Sequence, residues 1–295
     1  MARPVGHRVC CEKFRTKNKT EMDFKKIGVW FLAIAITLAA VVYQRATGPT
    51  YPKKFQVSLS EHAYGFALPR SHGGTTDCPV VLEGLPEGTQ AVLHYRHYPF
   101  LEGESWQSSP FSYTYSHEAF LPNQPPAGKL AYFVELRAQG QAAWLGSQDA
   151  PILIRFKGDV PTWALAPHVL AMFLAMLLST LAGLSALFGL ETYRRQAVLA
   201  FAFLTVGGMV LGPIVQKFAF GDYWTGIPWG WDLTDNKTLV AFLFWLAAVL
   251  LNRKAEKRWA VVLASVALLL VYSIPHSAMG SELDRSSGQV TQGDL

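Results

Sequence analysis

The chain has 295 residues, of which 51% are hydrophobic and only 16% charged, too apolar a balance for an ordinary soluble protein of one or two domains. Its formal net charge of +5 gathers beside the apolar blocks, so it reports membrane topology and excludes a nucleic-acid reading. The sequence contains three cysteines and no CxxCH, which leaves covalent c-type haem attachment to this chain unsupported.

Residues 1–26 form a basic polar tail, with Arg3, Arg8, Lys13 and Lys25 among its cations. Met22 opens MDFKKIGVW, a plausible start of its own, so residues 1–21 are expected to be an extension or a disordered tail. Ile27–Tyr43 is uncharged and of near-spanning length. The following VVYQRATG offers no small-x-small cleavage site, so residues 27–45 are predicted to be an uncleaved signal-anchor rather than a signal peptide.

From 47 to 160 the pattern changes to short β-rich runs separated by Gly, Pro, Ser and Asn clusters. These runs are Phe55–Leu59, Val80–Leu82, Ala91–Tyr98, Phe111–Tyr115, Leu130–Arg137 and Ile152–Phe156. Their spacing predicts an inserted all-β sandwich of immunoglobulin or fibronectin type. Trp106 and Trp144 are expected in its core or at an interface. The domain carries His62, His72, His94, His97 and His117. His94 and His97 have opposite parity on one strand, so they do not share a metal site.

Four apolar segments follow: Trp163–Leu190, Ala197–Val215, Thr238–Leu251 and Trp259–Ile274. A helix needs about 20 residues to cross the hydrocarbon core. The third of these segments reaches that length only by starting near Leu233, which draws Asp235 and Asn236 into its first turn. The last must run on through Pro275 and His276 or sit in thinned bilayer. The fold class predicted is therefore an α-helical polytopic membrane protein with five transmembrane helices and an external β-domain. Residues 163–276 make a four-helix transmembrane domain with an external loop at 218–237, and 277–295 an external tail. Arg194, Arg195, Arg253, Lys254, Lys257 and Arg258 join the basic N-terminus on the inside, leaving the β-domain, the loop and the C-terminus outside. The bacterial cytoplasmic membrane is the expected location, with the periplasm as the outside. Cys10 and Cys11 then lie inside and Cys78 outside, so no disulfide is expected within the chain. Ser179xxxGly183 and Gly208xxxGly212 predict close helix packing.

One loop stands apart. Phe220–Thr238, FGDYWTGIPWGWDLTDNKT, packs Trp224, Trp229, Trp231, Asp222, Asp232, Asp235, Asn236 and Lys237 into 19 residues. The topology brings His168 and His276 to the same membrane depth. A neutral imidazole is a good axial ligand for haem iron and for copper or zinc. Tryptophans suit the apolar faces of a macrocycle. Asp222, Asp232 or Asp235 would orient a ligand imidazole, and Lys217, Lys237 or Asn236 would meet propionates. Singly, each feature has a plainer account: tryptophans as an interfacial belt, the histidines as helix-end residues, Asp232 as an N-cap.

These residues resemble the haem-handling membrane proteins of cytochrome c assembly. In that family a tryptophan-rich loop lies outside between two helices and is flanked by two external haem-ligating histidines. FGDYW followed by WGWD is similar to the family's WGxxWxWD pattern, WALAPHVLAMFLAMLLSTLAGL to the helix that opens on the upstream histidine, and PHSAMG to the downstream context. The likeness covers residues 163–284. Phe220 stands at the family's first tryptophan, and the β-domain is foreign to the family, so the resemblance is to a remote, reduced relative. It implies a b-type haem held by His168 and His276 and presented to a partner, an apocytochrome or a membrane complex, with the β-domain docking it. Turnover chemistry is not expected, since no nucleophile–base pair or nucleotide loop is visible. Two alternatives stay open. His168, Met172 and Met176 at helical spacing, with Met279 after His276, would suit copper. A cofactor-free accessory or scaffold subunit is the other.

Overall fold

The computed structural model of the chain describes residues 6–48, 50–59, 62–86, 88–113, 115–274, 281–288 and 290–292. They fall into two compact units. One is made of the described residues of Met1–Arg45, Pro167–Val210 and Lys237–Ile274, and the other of those of Ala46–Ala166, Leu211–Asn236 and Pro275–Leu295.

The first unit is helical. Helix α1 spans Gly6–Thr47, and its part from Phe24 to Thr47 is long and apolar enough to cross a membrane. The helix thus runs on through residues expected to be a disordered tail. That stretch holds many Lys, Arg and Glu and no proline after Pro4, so local propensity favours a helix. Helix α2 is Thr162–Leu187, and α3 is Tyr193–Leu204. A π-helical segment, Thr205–Leu211, joins α3 to α4, Gly212–Phe220, making 28 residues that also suffice to span. Helix α5 is Leu233–Lys254, the fourth helix of spanning length. It begins at Leu233, and so takes Asp235 and Asn236 into its first turn. Helix α6, Arg258–Ser273, is apolar but only 16 residues long. It stops there because Ile274, ahead of Pro275, is extended (φ −80°, ψ 117°). The expected continuation through Pro275 and His276 lies outside the described residues.

Small side chains let these helices approach. Ala175, Ala182, Ala186, Ala197, Ala241 and Ala264 are buried around Trp245. A Cβ on Gly183 would meet the Ser265 Oγ at 2.4 Å, and one on Gly208 the Thr238 Cγ2 at 2.9 Å. Ser179 is buried as well. Both predicted small-residue motifs therefore supply a close-contact position.

The second unit is β-rich. Its strands are β1 Lys53–Leu59, β2 His62–Leu68, β3 Ser71–Gly73, β4 Cys78–Leu82, β5 Gln90–Tyr98, β6 Gln107–Pro110, β7 Ser112–Tyr113, β8 His117–Leu121, β9 Lys129–Ala138, β10 Gln141–Leu145 and β11 Ile152–Lys157. A C-terminal hairpin adds β12 Ser281–Leu283 and β13 Val290–Gln292. The largest sheet runs β3-β11-β9-β5-β6. One edge of β9 pairs with β5 along its length, while the other is shared by β11 and β10. Strands β4-β8-β7 form a second sheet and β1-β2 a hairpin. All contribute to one apolar core that includes Leu59, Leu68, Val80, Leu93, Leu121 and Val134.

Of Phe111–Tyr115, expected as one strand, only Ser112–Tyr113 is a strand among the described residues. β6 pairs with β5 and β7 with β8, and the chain changes partner at Phe111, after Pro110, which has no N–H to donate. His94 and His97 point to opposite faces of β5. His94 stacks on Phe133 at 4.7 Å and bonds the Ser108 Oγ at 2.8 Å. Trp106 packs edge-on against the same Phe133, whereas Trp144 is 49% exposed. Cys78 is buried, and its thiol pKa is pushed up to about 11 by desolvation.

The stretch Leu211–Asn236, expected to belong with the four-helix domain, groups with the β-rich unit. So does the C-terminal hairpin. Lys129 pairs with Glu282 and Arg285 with Glu104, and the Leu283 N–H donates to the Ala127 carbonyl at 3.1 Å.

Candidate functional site

Glycines and carboxylates build the Trp/Asp loop. Gly221, at φ 98°, terminates α4 by donating its N–H to the Lys217 carbonyl at 3.0 Å. The loop then doubles back on itself. Trp229 and Gly230 both donate to the Gly226 carbonyl at 2.9 Å, and Asp232 donates to the Thr225 carbonyl at 3.1 Å. A Cβ on Gly230 would lie 2.3 Å from the Thr225 oxygen, so this return admits no side chain there.

Asp235 is the hub. Its Oδ2 accepts from the Thr225 N–H at 2.6 Å, the Gln216 Nε2 at 3.0 Å and the Thr225 hydroxyl at 3.3 Å. One turn of helix thereby holds the far strand of the loop by a buried carboxylate. Asn236 adds an acceptor for the Ile227 N–H at 2.8 Å. Asp232 caps α5, its Oδ1 taking the N–H groups of Thr234 at 2.8 Å and Asp235 at 3.2 Å. Three residues predicted to meet a haem are thus engaged in holding the loop's own backbone.

The tryptophans divide. Trp224 is half-buried, and its Nε1 donates to the Ile227 carbonyl at 3.1 Å. Trp229 and Trp231 are 81% and 73% exposed, so a stiff backbone presents two large apolar rings. Asp222 is exposed as well. Lys217 bonds the Gly221 carbonyl and lies over the Tyr223 ring at 5.4 Å.

The helical unit holds His168, Met172, Met176 and Lys237. His168, on α2, donates from Nδ1 to the Gly207 carbonyl at 2.9 Å. Gly207 lies in the π-helical segment, which departs from the i→i−4 ladder and here meets an outside donor. A carbonyl only accepts, so Nδ1 carries a proton, and in the neutral ring Nε2 keeps the lone pair. Met172 lies over Gly207, where a Cβ would meet its Sδ at 2.9 Å, and Met176 is fully buried in the core. Met172 packs against the same core. Lys237 donates from Nζ to the Ile274 carbonyl at 2.8 Å. His276 and Met279 lie outside the described residues. Among the described residues no three His, Cys, Asp or Glu side chains form a metal-holding group.

Sequence reasoning missed Gln216, Thr225 and Gly207. Nothing in the local pattern marks a glutamine as the partner of an aspartate 19 residues on. Gly208 was read, with Gly212, only as a packing position, and its neighbour Gly207 was given no role. No protein-family model, no curated protein and no solved structure matches the chain.

Proposed function

We propose that the chain is a membrane haem-binding and haem-presenting protein, similar in this respect to the haem-handling proteins of cytochrome c assembly. His168 and His276 are the axial ligands of a b-type haem in this reading, and Trp224, Trp229 and Trp231 line its faces. The observation that carries it is the hydrogen bond from His168 to Gly207. Metal-ligating histidines characteristically donate their second ring N–H to a carbonyl or carboxylate, which fixes the tautomer and aims the free nitrogen. The network around Asp235 adds a second support. It makes the Trp loop stiff, so its exposed rings are preorganised for a flat apolar ligand.

The wider picture is a five-span protein with its N-terminus inside and its β-domain, Trp loop and C-terminus in the periplasm. The placement of Arg194, Arg195, Arg253, Lys254, Lys257 and Arg258 supports it. The β-domain is read as an immunoglobulin-like sandwich that docks an apocytochrome or a membrane complex, a role its sheets around one apolar core are suited to.

The test is an absorption spectrum of the detergent-purified protein, oxidised and reduced. Sharp reduced α and β bands are expected, and His168→Ala with His276→Ala should abolish them. A folded double variant that retains haem like its parent overturns the reading.

The exposure of Trp229 and Trp231 also favours a second reading, a cofactor-free scaffold whose loop is a protein interface. It predicts a parent protein without haem whose co-purification with a large partner survives both histidine substitutions.

A further inference from the structure

Strand β11 carries two cations that form no ion pair among the described residues. Alternation turns Ile154 and Phe156 into the core and sets Arg155 and Lys157 together on the opposite face. Register places Lys129 of β9 directly beside Arg155. Lys129 has its own carboxylate in Glu282. Arg155 does not: its Nε is buried without a hydrogen-bond partner among the described residues, and its guanidinium lies over the Phe220 ring at 5.9 Å. Neither Arg155 nor Lys157 forms an ion pair there. Burial pulls both pKa values down. The charges of Asp232 and Glu282 partly restore that of Arg155, while Arg155 itself lowers Lys157 further. Those two carboxylates are already in use, Glu282 by Lys129 and the Oδ1 of Asp232 by the first turn of α5.

The surroundings say what kind of ligand fits. Just past Lys157, Gly158 donates to the Ala219 carbonyl at 2.9 Å, and a Cβ on it would lie 2.2 Å from the Phe218 oxygen. The strand therefore ends against the last turn of α4, where an apolar helix of spanning length stops. Trp163 packs edge-on against Phe218 at 5.9 Å and is 63% exposed. Aromatic rings at such a helix end mark the membrane–water interface, the depth of headgroup phosphates and of the carboxylates of membrane-bound amphiphiles. Phe220, beneath Arg155, is also a wall of a cavity of about 510 Å³ that Pro126, Asp222 and Leu283 help to line. A half-buried cation pair is costly unless an anion completes it. Lys217, Lys237 and Asn236, the groups expected to meet propionates, are engaged elsewhere.

We propose that Arg155 and Lys157 form the binding site for an anionic oxygen group of a membrane-embedded ligand, either a carboxylate such as a haem propionate or the phosphate of a lipid headgroup. The guanidinium fork takes either group through two parallel hydrogen bonds, and the lysine adds a point charge. The propionate source rests on the haem reading above, and the phosphate source does not.

The test compares the parent protein with R155Q, K157Q, the double variant and R155K. Haem and haem dimethyl ester, which lacks the carboxylates, are titrated spectroscopically. In parallel, lipid retained from bilayers of phosphatidylcholine alone or mixed with phosphatidylglycerol is read by native mass spectrometry. The parent is expected to favour haem over its ester, or anionic over zwitterionic lipid, by about tenfold, as loss of a charge-assisted pair implies. The double variant should lose that preference and R155K part of it. Should the arginine variants fail to fold, K157Q alone decides, since Lys157 lies at the end of the strand. A parent without either preference, or folded variants that keep it, overturns the proposal. A parent that binds no haem while only its variants lose anionic lipid sinks the haem reading and leaves this site standing.

Discussion

The two units bury their interiors by opposite means. The β-rich unit fills its core with large aliphatic and aromatic side chains, among them Leu59, Leu68, Leu82, Leu93, Tyr132 and Phe156, all at 1% exposure or less. The helical unit fills its own largely with alanine and places glycine or serine where helices meet. A water-exposed fold is held by removing apolar volume from water. Between helices in lipid that driving force is absent, so close approach and dispersion contacts take its place.

This contrast predicts opposite sensitivities. Removing volume should hurt the β-rich unit most. Leu93→Ala, at a fully buried position on β5, is expected to cost about 2–5 kcal/mol, read as a lowered unfolding midpoint of that unit. A midpoint unchanged by the substitution would contradict a volume-packed core. Adding volume should hurt the helical unit. Gly183→Ala drives a methyl into Ser265 and should cost about 1–3 kcal/mol, with Ser265→Gly restoring part of the loss in the double variant. If Gly183→Ala melts like the parent, the helices are not held by close approach.

A smaller effect comes from charge. Arg285 grips Glu104 through two hydrogen bonds and holds its carboxyl below the usual carboxylate range. Because the folded pKa is depressed, this contribution is complete above the ordinary value of about 4.3. It is lost as pH falls through the lower folded value. Amide exchange of β12 and β13 should therefore rise only in acid, whereas Glu104→Gln should raise it already at neutral pH. An acid-independent exchange rate would show that the hairpin is held by its Lys129–Glu282 pair and backbone alone.

Runs of one kind of residue were legible. Apolar runs became helices, and β-rich runs at Val80–Leu82 and Leu130–Arg137 lie inside β4 and β9. The length argument located the start of α5, because an apolar run of 14 residues cannot span unless its polar flank joins it. Asp232 before that helix carried a local cap signal, and it caps. The partner change at Phe111 was not legible, since it depends on which strands are already in place on either side. Nor was the role of Asp235. The sequence marks it as one of three acids in a loop, but only folding brings Gln216 and Thr225 to its carboxylate.

The sequence by itself determined where the chain is apolar, where it alternates and where its charges stop a helix, because these follow from side chains counted along one segment. The tertiary structure alone decided that the Gly207 carbonyl accepts the His168 hydrogen bond, that the Trp loop groups with the β-rich unit, and that Arg155 and Lys157 share a face of β11 with no ion pair among the described residues. Each of these depends on groups far apart in the chain, and hydrogen bonds and charges act through distance in space, not along the sequence.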